Sequence, residues 1–364
     1  MNSRKEEYDN EMNKYKLLEI SYKDFNKTQI RYISQNNKKA FIWLHGFNDY
    51  YHHFHIGNRL LNDSFDLYAI TLRNYGQTLI KGNENEIFLT DSLDNYIDDI
   101  DYCFDTIFNK LNKKYDEIIL YGHSLGGLVI SVYLEKGKYK NFVSKLVLNS
   151  PFYNFRYDNI FDVLIYDYLI PFLGFLRYFK LIPNLCLRKD FGDDPYKKYI
   201  FNKYYFEYKF KVKKKNIYLD WILAVKKFHK FIFNNKCSYD IPVLILYCGK
   251  NSFDNDIIYN EFGDCVLNIN DIIFHSQNYF KNSTLCKIKD SIHDIFCSED
   301  YVVKKAYNIM VSWINNDIKS INFVNKKISK KVIIKYDFYL INLFILMCLF
   351  CLLNYYFNFI GIYL

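Results

Sequence analysis

Ser124 lies in Gly122-His123-Ser124-Leu125-Gly126, which fits the pattern G-x-S-x-G. An apolar run, Ile118 to Tyr121, enters it, and Gly126-Gly127 opens an apolar helical pattern. That strand-turn-helix setting puts a serine hydroxyl on a sharp turn whose glycine neighbours let the backbone pack closely on both sides. The hydroxyl becomes a nucleophile only when a general base takes its proton and a third group orients that base. On an elbow of this kind the partners follow along the chain as an acid and then a histidine. Of the eight histidines, His45, His52, His53, His55 and His123 precede the serine. His229 falls in an aromatic-rich insert and His275 inside a helical pattern. His293 alone occupies a loop after a late strand, in Lys289-Asp290-Ser291-Ile292-His293-Asp294, and is the expected base. Acid and base should stand about one helix-plus-strand step apart, of order 30 residues. Asp264 lies 29 residues before His293 and is favoured; Asp254 and Asp256 remain as alternatives.

An acyl-transfer site also needs donors for an oxyanion. The strand Ala40-Phe41-Ile42-Trp43-Leu44 runs into His45-Gly46-Phe47, where a glycine turns backbone N–H groups inward. The Phe47 N–H and the Leu125 N–H are the expected pair. His52, His53 and His55 could suggest a metal, but no cysteine or carboxylate completes a set nearby at zincin spacing. No metal and no organic cofactor is expected.

The elements that must hold these residues alternate between strand and helix. Tyr15–Tyr22 and Gln29–Ser34 read as an edge hairpin. Strands follow at 40–44, 65–71, 115–121, 143–148, 243–247 and 285–288. Helices are expected at Leu93–Leu111, with Asp91-Ser92 as cap, and at Ile269–Tyr279 and Ser298–Ile314. No internal repeat appears, so the pattern predicts a mostly parallel α/β sheet. Between Pro151 and Ile241 aromatic and aliphatic residues crowd too densely to face one core. That stretch reads as an inserted helical cap, broken at Pro171 and Pro183, with a further helix over Leu219–Asn234.

The composition is 50% hydrophobic and 20% aromatic, which permits a large core. The net charge of +8 comes from scattered lysines without a basic, aromatic-laced stripe, so a nucleic-acid partner is not expected. Nine cysteines and a charged, non-apolar start suit a reducing compartment without a secretory signal. From Phe338 to Leu364 no residue is charged, a run of 27 positions. About 20 apolar residues suffice to cross a bilayer, and lysines at 319–335 precede the run. A membrane tail anchor is therefore expected, with the main domain on the cytosolic side. The expected organisation is a disordered 1–14, a core of 15–150 and 241–316, a cap of 151–240, a basic linker of 317–337 and a transmembrane tail of 338–364.

Five ordered motifs carry a resemblance. They are Trp43-Leu44-His45-Gly46-Phe47, Leu72-Arg73-Asn74-Tyr75-Gly76, Gly122-His123-Ser124-Leu125-Gly126-Gly127, Asp264-Cys265-Val266-Leu267-Asn268 and Ser291-Ile292-His293-Asp294-Ile295. Over residues 15–316 the chain resembles the α/β-hydrolase superfamily, in its lysophospholipase and monoacylglycerol-lipase-like branch. Thr71 stands where that branch usually has Asp, and the acid loop is longer between Cys248 and Gly263. The resemblance implies an α/β-hydrolase fold with a cap and a triad of Ser124, Asp264 and His293. It also implies cleavage of carboxylic esters through an acyl-enzyme. With the apolar cap and tail, the expected substrate is a lysophospholipid or monoacylglycerol. The alternatives are a peptidase or other acyl hydrolase of the same fold, and an inactive membrane scaffold.

Overall fold

The computed structural model describes residues 10–21, 27–78, 90–191, 215–252 and 262–317. The chain divides into two compact units, residues 1–327 and 328–364, and the described residues all belong to the first.

An eight-stranded sheet organises that unit. In chain order its strands are β1 (Lys16–Ser21), β2 (Lys27–Ile33), β3 (Lys39–Leu44), β4 (Phe65–Thr71), β5 (Glu117–His123), β6 (Lys145–Asn149), β9 (Val243–Cys248) and β10 (Ser283–Ile288). Their spatial order is β1-β2-β4-β3-β5-β6-β9-β10. The hairpin β1–β2 is antiparallel and joins β4 antiparallel; every later pair is parallel. The central strands are covered on both faces, which is why they read as unbroken apolar runs. In β3, Phe41 and Trp43 point into one layer and Ile42 and Leu44 into the other. The Trp43 layer is closed by α1 (Phe54–Asn62) and α8 (Asp300–Ile314), through residues such as Leu60, Val303 and Met310. The opposite layer is closed by α2 (Asp94–Asp105), α3 (Leu125–Lys136), α6 (Leu219–Asn234) and α7 (Ile269–Tyr279). Helix α3 is buried around most of its girth, as its near-continuous apolar sequence requires.

Some expectations need correction. The cap position of α2 is Leu93, with no side-chain cap; Ser92 Oγ instead bonds Asp94 Oδ2 at 2.8 Å. The helix is also not α-helical through Leu111. After Asp105 it widens into a π turn, Thr106–Lys110, closed by Leu111 N–H on Thr106 O at 2.9 Å. Pro171 does not break the first cap helix. The chain runs from α4 (Ile160–Val163) through a π-helical stretch, Leu164–Leu169, into α5 (Ile170–Tyr178). Proline is tolerated in the first turn of the new segment, and the wider turn before it relieves the clash with the preceding carbonyl. Nor is the insert wholly helical, because β7 (Cys186–Phe191) and β8 (Lys215–Tyr218) form an antiparallel ribbon. Asp254, Asp256 and the apolar run 338–364 lie outside the described residues. Among the described residues no helix is long and apolar enough to cross a membrane.

Two histidines, buried His229 and half-buried His55, brace the layers. His229 of α6 bonds the carbonyl of Phe152 through Nε2 at 2.9 Å, and His55 of α1 bonds that of Phe296 at 2.9 Å. Burial lowers both pKa values to about 3. In the unfolded chain each would titrate near 6.5, so below that pH the unfolded state binds more protons. Stability is therefore complete above pH 6.5 and is lost as pH falls towards 3, by up to about 1.4 kcal/mol per pH unit for each histidine. The urea midpoint should drop steadily from pH 7 to pH 4, and His229→Gln should make the drop shallower; a flat midpoint would contradict this account.

Candidate active site

The carboxyl ends of β3, β5, β6, β9 and β10 converge, the region of an open α/β sheet where ligands bind. Ser124 stands at the end of β5 with φ 49° and ψ −115°. This strained conformation, costing about 1–3 kcal/mol, persists only where the surroundings enforce it. Three backbone bonds do so. Ser124 N–H donates to Asn149 O at 3.0 Å, while Ser124 O accepts from Leu128 N–H at 3.1 Å and from Phe152 N–H at 3.0 Å. The start of α3 also presses on β3: a Cβ on Gly126 would lie 2.4 Å from His45 O and 2.8 Å from Leu44 O. Only glycine fits there.

The same contact brings the Gly46 turn beside the serine. A Cβ on Gly46 would lie 3.3 Å from Ser124 Cβ. His45 shapes this turn: Leu72 N–H donates to its Nε2 at 3.1 Å, so Nδ1 carries the proton and meets Gly46 O at 2.7 Å. Phe47 and Leu125 therefore follow, respectively, the turn and the serine that face each other.

Asp264 and His293 meet through backbone pairing. Asp264 N–H donates to Lys250 O and Ser252 N–H to Asp264 O, both at 2.9 Å, which ties the acid to the end of β9. On its other side Gly263 bridges to Ile292. Gly263 adopts φ +146°, and a Cβ there would meet Lys250 O at 3.0 Å. Asp264 Oδ2 lies 2.9 Å from His293 Nδ1, while Oδ1 accepts from the N–H groups of Val266 (2.9 Å) and Leu267 (2.8 Å). The carboxylate is fully buried and oriented from both sides. With Nδ1–H on Asp264, the other ring nitrogen, Nε2, is the basic one. The His293 ring packs 4.9 Å from that of His123, the residue before the serine. Burial lowers the pKa of His123, against the pull of the nearby Asp294 carboxylate.

The cap roofs this group. Ser124 is only 8% exposed and His293 5%. Trp221 of α6 packs on Phe47 with ring centroids 4.7 Å apart. His229 of the same helix bonds Phe152, whose N–H in turn holds Ser124 O.

Several participants carried no readable signal in the sequence. Asp99 accepts Arg73 Nε and Nη2 at 2.9 and 2.7 Å and receives the Arg73 N–H on its other oxygen. Asn149 is tied to the Ser124 N–H through its carbonyl. His52, His53 and Cys297 bring possible ligand atoms within 4.8 Å of one another. Cys297 lies 244 residues from His53, so no local spacing could reveal it. Its thiol and His53 Nε2 both face Asp294 Oδ2, at 3.3 and 2.8 Å.

A profile of the serine aminopeptidase S33 family matches residues 35–255, more than half of the chain. The chain belongs to this family of α/β hydrolases. Its fold is similar to that of a soluble variant of monoglyceride lipase from Saccharomyces cerevisiae bound to a substrate analogue. That likeness has a TM-score of 0.62 at 16% identity, over 83% of this chain and 94% of that one. It is also similar to monoacylglycerol lipase of Paleococcus ferrophilus, with a TM-score of 0.54 at 16% identity over 83% and 98%. A third likeness is to α/β hydrolase domain-containing protein 10 from mouse, with a TM-score of 0.53 at 12% identity over 83% and 99%. No curated protein matches the sequence. The family match spans the serine and the Gly46 turn but stops before Asp264 and His293. At such identities the solved structures speak to the fold, and it is the S33 hydrolase's own geometry that brings its acid and histidine together.

Gly126→Ala should therefore be more damaging than a surface change of equal size. Forcing a methyl against two backbone carbonyls should cost about 1–3 kcal/mol or more in urea unfolding and should displace Ser124. A variant as stable as the parent would contradict the close approach.

Proposed function

We propose that this hydrolase cleaves fatty-acyl esters of the monoacylglycerol or lysophospholipid class by a Ser124-Asp264-His293 triad. The observation that carries the reading is the buried Asp264–His293 hydrogen bond beside a strained serine, under an apolar roof. Ser124 Oγ attacks the ester carbonyl carbon while His293 Nε2 takes its proton. Asp264 keeps Nδ1–H in place and stabilises the imidazolium. The oxyanion is held by the N–H groups of Phe47 and Leu125. The carbonyl re-forms as the alcohol leaves with the proton from His293, giving an acyl-serine. Water, deprotonated by the same nitrogen, then releases the fatty acid and restores Ser124.

Support for an apolar acyl chain comes from the cap, whose Phe161, Phe175, Tyr178 and Leu181 remain exposed while Trp221 and Phe228 face inward. The uncharged tail, 338–364, supports attachment to a membrane with the hydrolase unit on the cytosolic side. The same triad serves amide substrates elsewhere, so a peptidase is the competing reading. An inactive scaffold would have no use for the orientation of Asp264.

Ser124→Ala should remove hydrolysis of p-nitrophenyl esters, and Asp264→Asn should lower kcat about 10⁴-fold. A panel of monoacylglycerols, lysophospholipids and aminoacyl p-nitroanilides should show turnover of the lipids only. Cleavage confined to the anilides would favour the peptidase, and full ester turnover by Ser124→Ala would overturn the triad.

A further inference from the structure

Asp294 follows the histidine of the site directly, yet it plays no part in the chemistry set out above. It is buried, at 7% exposure, and its carboxylate is fully committed. Oδ1 accepts from Asn149 Nδ2 at 3.0 Å and from Phe296 N–H at 3.2 Å. Oδ2 accepts from His53 Nε2 at 2.8 Å and from Cys297 Sγ at 3.3 Å. Each of the two long-range partners reaches a different part of the site. Asn149 ends β6, and its carbonyl takes the Ser124 N–H and faces His123 Nδ1 at 3.2 Å. Its amide also bonds Tyr121 Oη at 2.8 Å, in the strand that delivers the serine. His53 opens α1, which follows the Gly46-Phe47 turn, and its ring stacks near Trp43 at 4.8 Å. Phe296 and Cys297 close the loop that carries His293.

We infer that Asp294 is a positioning residue, a single carboxylate that locks the His293 loop to the serine elbow and to the segment behind the Gly46 turn. The inference rests on the triad reading above. The chemistry of the partners fits the task. A carboxylate accepts several donors at once, where a neutral side chain of this length accepts from one oxygen only. Buried charge-assisted bonds are stronger than neutral ones. Burial alone would raise the Asp294 pKa, but His123, His53 and the His53 hydrogen bond outweigh it and hold the group well below the usual carboxylate range. The carboxylate is thus charged near neutral pH, and four donors face it. Asp264 fixes how the His293 ring is turned; Asp294 fixes where its loop stands. Displacing a catalytic group by about 1 Å can cost on the order of 100-fold in rate.

The test measures kcat and KM for p-nitrophenyl butyrate, with active sites counted by a fluorophosphonate. Asp294→Ala should lower kcat per titrated site about 10- to 100-fold while KM changes less than about twofold. Asp294→Asn keeps an oxygen for Asn149 and Phe296 but loses the acceptor for His53 and Cys297, and should recover only part of that loss. His53→Phe, which has no donor for Asp294, removes one strut from outside the loop and should lower kcat several-fold if Asp294→Ala does not fold. The two changes combined should cost less than the product of their separate effects, since both cut one connection. Full kcat per site in Asp294→Ala or His53→Phe would overturn the inference. So would tight binding of one zinc per chain that Cys297→Ser abolishes, because the donors would then serve a cation. A parent enzyme that neither labels nor turns over ester defeats the triad reading instead.

Discussion

The contact between α3 and the end of β3 governs the rest of the site. Two backbone carbonyls, those of Leu44 and His45, lie so near the start of α3 that no side chain fits at Gly126. Helix α3 can therefore seat itself against the sheet, and the residue before it must take up the backbone conformation seen at Ser124. The strain is local, and its compensation is spread over Asn149, Phe152 and Leu128, each bonded to a Ser124 backbone group. The same seating sets the Gly46 turn opposite the serine. The serine proposed as nucleophile and the backbone N–H groups proposed as oxyanion donors are thus brought together by one packing event.

The partners arrive by a different route. Asp264 and His293 belong to separate loops after β9 and β10, which are neighbours in the sheet. The loops continue that neighbourhood where Gly263 pairs backbone with Ile292, while Asn251 pairs with Asp264 inside the first loop. Side-chain orientation then follows from register. A parallel sheet offers such convergence at one end only, and the cap closes that end with α6.

How much of this could be read from the amino-acid sequence depended on the range of the interaction. The elbow was legible because its parts are contiguous: an apolar strand, two small residues and an apolar helix. Helix α7 matched its expected limits, since period and cap both lie within a dozen residues. Asp264 was reached by spacing along the chain, which cannot show the hydrogen bonds that orient it. Asp294, Asn149 and Cys297 left no trace, because each acts on residues more than a hundred positions away or through backbone groups. Pro171 misled for a related reason. Proline normally ends a helix, but a π turn just before it lets the axis continue. The ribbon β7–β8 was missed inside a segment whose aromatic density pointed only to burial.

The central claim is that these three loops build one nucleophile. Its most direct test is to treat the full chain with a fluorophosphonate and locate the adduct by peptide mass spectrometry. The account predicts a single phosphonylation per chain, on the peptide containing Ser124, formed at the rate at which ester hydrolysis is lost. An adduct on another residue, or complete loss of hydrolysis with Ser124 unmodified, would contradict it.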